Sequence, residues 1–420
     1  MKYFAGVLSL CALGVIGCGS SSPSGSKAAG GASSSSGGSS NTGSSGTTNP
    51  GGGAVNVSSG PTTATAMTTA LGRKANFLVG LGNDLDPNSN HDMDGAFRLG
   101  TTLDLHYAYL SAYKNSDGSW GSWDSWNPNG TFVNVITDSA DAHGVVPMFT
   151  LYAMAEQGDG NLMAAFGNDS VMKSYWSDVQ LLFQRIAAFG KPAVVHLEPD
   201  FWAYAEQQSK ENPSSMPVKL SANAPDCADL SNDLVGLGHC YVRIARKYAP
   251  KAIIGFHASE WANADPAATA KFLNAVGADE TDVIFADLLD RDAGCFEAAV
   301  DPNCMRQGSF YWDETNTTSP NFHDYLAWSK AISSGVQHPL IWWQVPLGVP
   351  SDTKGGSAGH YRDNRVHYIF SHISEFVDAG GLGIAFGVGA GNQTTTDTDG
   401  GQFKDAVTKY FQAPVALPAN

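Results

Sequence analysis

Basic residues are scarce in this sequence. Lys and Arg number 24 among 420 residues, against 40 Asp and Glu, for a formal charge of −16. With Lys2 and Lys27 set aside, 22 basic residues face 40 acidic ones, a balance of −18. Nucleic acid or an anionic membrane surface would find no electrostatic footing on such a chain. Cysteine is scarce too: there are 6, and no two stand as Cys-x-x-Cys, which leaves little for a structural zinc site. No Gly-x-Gly-x-x-Gly follows the first apolar run of the folded part, so a dinucleotide-binding crossover lacks its phosphate turn. The apolar run from Tyr3 to Ile16 is shorter than the roughly 20 residues of a spanning helix.

What is present begins with a leader. Lys2, the apolar run and the small residues before Cys18 read as a secretion signal over residues 1–18. Val15-Ile16-Gly17-Cys18 resembles the lipobox of bacterial lipoproteins. That likeness implies cleavage before Cys18, a lipid on its thiol, and anchoring to a bacterial envelope membrane. Residues 19–65 are dominated by Ser, Gly, Thr, Ala and Asn. Such a stretch buries too little apolar surface to offset its ordering entropy, and it reads as a disordered tether. Residues 66–420 remain for one folded domain. Cys227, Cys240, Cys295 and Cys304 lie there, an even number in an exported chain, so disulfides are expected. Proximity favours Cys227 with Cys240 and Cys295 with Cys304.

Within the folded part, short apolar runs alternate with amphipathic stretches. Phe77–Gly82, Leu103–Leu110, Val146–Met154, Ala193–Phe201, Ala252–His257, Val283–Leu289, Leu340–Val345 and Leu382–Val388 are the strand candidates. Helix patterns over 131–143, 171–189, 234–248, 266–276, 322–334, 364–379 and 402–411 lie between or after them. Most of them stop at Gly or Pro, the expected terminators. Alternating strands and helices imply a parallel sheet, and eight such units predict an α/β fold, a single (β/α)8 TIM-type barrel. A doubly wound open sheet is the alternative.

In a barrel of this kind function gathers at the C-terminal strand ends, and here those ends are polar. They carry Asp84, then Asp104 and His106, Tyr152, His196 with Glu198 and Asp200, His257 with Glu260, Asp287 with Asp290, and Gln344. His196, Glu198 and Asp200 are spaced two apart. On a strand they would project from one face. Burying that set is costly unless the groups are paired, protonated or facing a wet cleft. The plain alternative is a salt-bridged strand end. Glu198, Asp200, Glu260, Asp287 and Asp290 are therefore the candidate acids and bases.

Tryptophan concentrates near the same ends: Trp202, Trp261, Trp342 and Trp343, with Trp120, Trp123 and Trp126 in one Ser/Gly-rich loop. Flat aromatic faces beside carboxylates suit sugar rings, whereas large aromatics otherwise fill cores. The tryptophan loop is expected to be exposed. Trp342 and Trp343 are neighbours, so one of the two must point away from any cleft. Asp84, Asp104, His106, Tyr152, His196, Trp202, His257, Trp261, Trp342 and Gln344 are the candidate substrate-binding residues.

Glu198-Pro199-Asp200 resembles the Glu-Pro-Asp motif of family six glycoside hydrolases, the inverting cellulases. The likeness continues through Asp226-Cys227, a helix holding Cys240, and Gly255-Phe-His-Ala-Ser-Glu-Trp261 followed by Asp265-Pro-Ala-Ala. It implies a glycoside hydrolase with Asp200 as general acid and Glu198 as a supporting carboxylate. This chain departs from the family in its eight strand candidates, where the family's barrel is incomplete, and in lacking its acidic second-strand motif. The large retaining clan of barrel hydrolases places Asn-Glu-Pro on strand four and a nucleophilic Glu on strand seven. Here Leu197 and Gln344 stand at those places, and a Gln is no nucleophile.

The sequence leads to an exported, lipid-anchored glycosidase that acts on a polysaccharide or oligosaccharide through carboxylic acid/base catalysis. A non-catalytic glycan-binding lipoprotein on a degenerate barrel is the second reading. A metal-dependent hydrolase using His106, His196, His257 and nearby Asp residues is the third, without the early His-x-His of amidohydrolase-like barrels. No cofactor is expected beyond calcium at Asn90, Asp92 and Asp94, where Thr101 occupies the place of the usual bidentate Glu and a solvated turn is the default. Carbohydrate is the expected partner, membrane contact comes only through the lipid on Cys18, and the chain is expected to be a monomer. Residues 355–365, after the seventh strand, could form a flap over a cleft or simply start a helix.

Overall fold

The computed structural model describes residues 63–82, 95–114, 120–155, 162–288, 291–300, 304–305, 310–388 and 392–419. Its strands are β1 (Leu78–Gly82), β2 (Leu105–Lys114), β3 (Trp120–Ser122), β4 (Val146–Tyr152), β5 (Val194–Leu197), β6 (Ile253–Ala258), β7 (Val283–Asp287), β8 (Leu340–Val345) and β9 (Gly381–Gly387). All but β3 pair in parallel, β9 returns to β1, and β1 pairs with β2, so eight strands close into a barrel. β3 forms an antiparallel hairpin with β2 outside the ring. The fold is the α/β barrel that the alternating pattern implies.

Period-two alternation decides which side chains fill the barrel and which meet the helices. On β8, Trp343 points inward, with its ring 6.3 Å from Tyr107 and 4.8 Å from His196. Trp342 points outward against Phe376 at 5.0 Å. Glycines on β1 and β9 make room for the inner aromatics: a Cβ on Gly387 would lie 1.9 Å from the Tyr107 hydroxyl oxygen. No other residue fits there.

The N-terminal ends of the strands are pinned by two carboxylates, one half-buried and one fully buried. Asp104 accepts from the backbone N–H of Val79 at 3.0 Å, and Asp282 accepts from Ile254 N–H at 2.8 Å and from Arg246 at 2.9 Å. Each ties one strand's entry to its neighbour and satisfies a buried donor.

Helices Phe132–Ala142, Asp169–Phe189, Leu234–Tyr248, Pro266–Ala275 and Phe322–Val336 surround the barrel, with Gln402–Tyr410 closing the chain. The helix expected over 364–379 is two pieces, Arg365–Ser371 and Ile373–Asp378, which meet at His372 in a non-helical conformation. Cys227 is bonded to Cys240 and Cys295 to Cys304, with Cα separations of 5.6 and 5.4 Å. Among the described residues, no helix is long and apolar enough to cross a membrane.

Candidate active site

The site grows from the turn that ends β5. Local pattern extends this strand to Phe201, but it stops at Leu197. Glu198 takes a left-handed backbone (φ 53°) and Pro199 opens the helix Pro199–Ser209. The right-handed helical region is disfavoured for the residue before a proline, and proline is pre-set for the first helical position. His196, Glu198 and Asp200 therefore leave the backbone in three directions instead of sharing one strand face.

Glu198 is fully buried and turned toward the helices. Its carboxylate accepts from the N–H groups of Ala153 and Met154 at 3.0 and 2.9 Å. It also accepts from the Tyr175 hydroxyl at 2.7 Å, which is itself bonded to the Tyr241 hydroxyl. Burial and the Glu198 charge push both tyrosines well above the usual phenol range. Glu198 thus joins the ends of β4 and β5 and is a support of the site, not a member of it.

Asp200 sits in the first turn of the helix, half-buried, and Oδ2 accepts from the Tyr152 hydroxyl at 2.8 Å. Burial pushes its carboxyl up, and the Asp287 charge adds to this. Tyr152, His257 and Arg291 work the other way without cancelling it. Asp287 ends β7, half-buried, and the Tyr325 hydroxyl donates to its backbone carbonyl. Glu260 lies on the exposed loop after β6. It too is pushed up, by partial desolvation and by the charges of Asp287 and Asp324.

Two buried imidazoles lie beneath these acids. His196 Nε2 is 3.0 Å from His257 Nδ1, and His257 Nε2 faces Asp287 Oδ1 at 3.6 Å. Burial, with His257 adding to it, holds His196 well below the ordinary histidine range and keeps it neutral. Trp343 packs edge-on against His196 and His257. Tyr109 lies 5.6 Å from Trp343 and 6.0 Å from Tyr152. Tyr109 was missed because alternation alone does not say which face of β2 turns inward. Gln344, buried at φ 55°, sits where the pairing of β8 with β9 shifts register. Non-glycine residues in this region cost of order 1–3 kcal/mol, and Glu198 and Gln344 both lie at C-terminal strand ends.

Several expected members lie elsewhere. Asp104 belongs to the opposite, N-terminal end of the barrel, where it holds Val79. His106 faces outward, 4.8 Å from the Phe97 ring. Trp202 is core: its Nε1 donates to the Leu197 carbonyl at 2.9 Å and its ring lies 4.2 Å from Phe256. Trp342 is core for the reason given above. The tryptophan loop is not exposed as a whole, since Trp123 is fully buried and Trp126 packs on Phe132. Trp261 is 44% exposed beside Tyr204 and does offer an open face. Segment 355–365 is tied down instead of free. Val349 N–H donates to the Tyr361 carbonyl and the Val349 carbonyl accepts from Asp363 N–H, and the buried Asp363 side chain accepts from Ala293 N–H and from the Arg365 guanidinium. Asp84, Asp290, the calcium candidates Asn90, Asp92 and Asp94, and Cys18 lie outside the described residues. Among the described residues, no three His, Cys, Asp or Glu side chains converge as a metal site requires.

No protein-family model and no curated protein matches the sequence. Solved structures similar in fold include the GH26C protein from a Muricauda species, at 11% identity over 82% of this chain and 87% of that one, TM-score 0.48. Another is a GH113 beta-1,4-mannanase, at 11% identity over 81% and 98% of the two chains, TM-score 0.47. The endoglucanase Cel6 from Mycobacterium tuberculosis is a third, at 16% identity over 67% and 78%, TM-score 0.34. Likeness at this level concerns the barrel and carries nothing about the reaction.

Proposed function

We propose that the chain is a glycoside hydrolase acting on a polysaccharide or oligosaccharide, exported and held to a bacterial envelope membrane by a lipid on Cys18. Asp200 is the proton donor, and Asp287 is the carboxylate that activates water or stabilises the cationic sugar. Such hydrolysis requires one carboxyl kept protonated and a second one ionised near it. The single observation that supports this reading is Asp200: half-buried, pushed up by desolvation and by Asp287, and hydrogen-bonded to Tyr152 at the C-terminal mouth of the barrel. Tyr109, partly exposed and packed on the buried Trp343, supplies an aromatic face at this mouth, and Trp261 provides an outer platform for a sugar ring. Glu260, raised and exposed, is the alternative donor on the rim.

The test is hydrolysis of a panel of soluble glycans by the wild type and by Asp200→Asn, Asp287→Asn and Glu260→Gln. On a substrate that the wild type cleaves, Asp200→Asn and Asp287→Asn are expected to lose about a hundredfold or more in kcat, and Glu260→Gln far less. Wild-type rates from Asp200→Asn would remove the role. The anchor is tested separately by Cys18→Ser, which should release the protein from the membrane fraction.

A second reading is supported by Gln344. An amide replaces the carboxylate that retaining barrel enzymes use on that strand, which fits a glycan-binding protein without turnover. Saturable binding of a glycan that is never cleaved would favour it.

A further inference from the structure

The helix that carries Asp200 also holds the loop that carries Trp261. Three successive loop residues each meet a residue of helix Pro199–Ser209. The Trp261 ring lies edge-on to Tyr204 at 5.2 Å, the Ala262 carbonyl accepts from Gln207 Nε2 at 3.2 Å, and Asn263 Nδ2 donates to Glu206 Oε1 at 2.8 Å. Tyr204 is four residues beyond Asp200, one turn along the same side of the helix, where Cβ atoms lie about 5–6 Å apart. The aromatic pair therefore stands beside the proposed donor.

Between 259 and 265 the loop buries no large apolar side chain: Trp261 is exposed and Ala262 half-buried. Without such an anchor, hydrogen bonds decide where the loop sits. Some of them are internal. Ala262 N–H donates to the Ser259 carbonyl at 3.2 Å, Asp265 N–H to Asn263 Oδ1 at 3.0 Å, and Ala267 N–H to Asp265 Oδ1 at 3.0 Å. Those bonds give the loop its shape and leave its place relative to Asp200 open. The bonds to Gln207 and Glu206 supply the place. Gln207 is exposed, where water competes for the same groups. Glu206 is 4% exposed, and its carboxyl group also accepts from Thr269 Oγ1, at 3.0 and 3.2 Å to its two oxygens. Thr269 belongs to the helix Pro266–Ala275 that follows the loop. A carboxylate shielded from water makes the stronger bonds, and this one grips the loop and the helix after it together.

The geometry points to Glu206 as a positioning residue that fixes the Trp261 face in register with Asp200. A sugar unit outside the cleaved bond is then held on Trp261 while the bond itself is presented to the acid. The substrate class this selects is a chain of sugars long enough to reach both. This deepens, and rests on, the proposed glycosidase reading.

The test uses the full chain labelled with fluorotryptophan and read by fluorine NMR, with Trp261→Phe identifying the Trp261 signal. Glu206→Ala removes the acceptor. Asn263→Asp keeps the bond from Asp265 N–H and loses only the donor to Glu206, so it answers the question even where Glu206→Ala does not fold. Both variants are expected to shift or broaden the Trp261 signal. Glu206→Gln keeps an oxygen for both donors and should match the wild type in every readout. On a glycan series that the wild type cleaves, Glu206→Ala and Asn263→Asp should raise KM for the long members about fivefold. The shortest cleaved member should change far less, and kcat little throughout. An unmoved Trp261 signal in folded Glu206→Ala and Asn263→Asp overturns the inference. So does a KM raised equally for short and long glycans, or a Glu206→Gln that behaves as Glu206→Ala. If no glycan is ever cleaved, the glycosidase reading fails, and the Trp261 signal still decides whether Glu206 places the loop.

Discussion

Tyr152 donates its phenolic hydrogen to Oδ2 of Asp200 at 2.8 Å, joining the end of β4 to the helix that follows β5. The bond favours the ionised carboxyl and so works against the burial that raises it. Tyr152→Phe should therefore raise the Asp200 carboxyl further. The basic limb of kcat/KM against pH is expected to move up by about half to one unit, with a smaller effect on the plateau than Asp200→Asn.

Glu198 and Asp200 are two residues apart and should fail in opposite ways. Glu198→Gln replaces a charged acceptor of two N–H groups and a phenol with an amide that must turn a donor toward one of them. It is expected to cost about 2–3 kcal/mol in denaturant unfolding. Asp200→Asn should leave unfolding almost unchanged and remove turnover, because the charged form of Asp200 is already disfavoured in the fold.

The neighbouring tryptophans make a second contrast. Trp342→Ala empties a fully buried site against Phe77 and Phe376 and should cost about 3–5 kcal/mol of stability. Trp261→Ala touches an exposed ring beside Tyr204. Its expected effect is a raised KM for long glycans with thermal unfolding unchanged.

Asp292 gives a prediction about pH. It is fully buried, accepts from Thr394 N–H at 2.9 Å, and is pushed up to about 8 by burial and the Asp363 charge. Between its ordinary value of 3.8 and about 8 the folded state holds a proton that the unfolded chain has released. Its contribution to stability is therefore complete below the lower value and is lost as pH rises through the upper one. Asp292→Asn keeps an acceptor for Thr394 without the charge. Its thermal midpoint should match the wild type near pH 3.5 and exceed it increasingly as the pH rises to about 9.

Much of the barrel could be read from the chain because its elements are locally encoded. The run Leu340–Val345 and the helix Leu234–Tyr248 coincide with their patterns residue for residue. The disulfides followed from sequence separations of 13 and 9. The site was legible in part. Asp200, Asp287, His196, His257 and Tyr152 do gather at one end of the barrel, whereas Asp104, His106, Trp202 and Trp342 do not. Their identities carry no mark of orientation, and a slip of one residue along a strand exchanges barrel interior for helix layer.

From its own letters the chain settles the alternation of strands and helices, the places where helices stop, and the scarcity of positive charge. These are consequences of periodicity and of side-chain chemistry within a few residues. Tertiary structure alone decides that Glu198 is a buried support and Asp200 a raised acid, that Trp343 faces the barrel interior and Trp342 does not, and that two imidazoles from different strands meet. Each of those outcomes depends on burial and on partners brought from distant segments, which no local pattern contains.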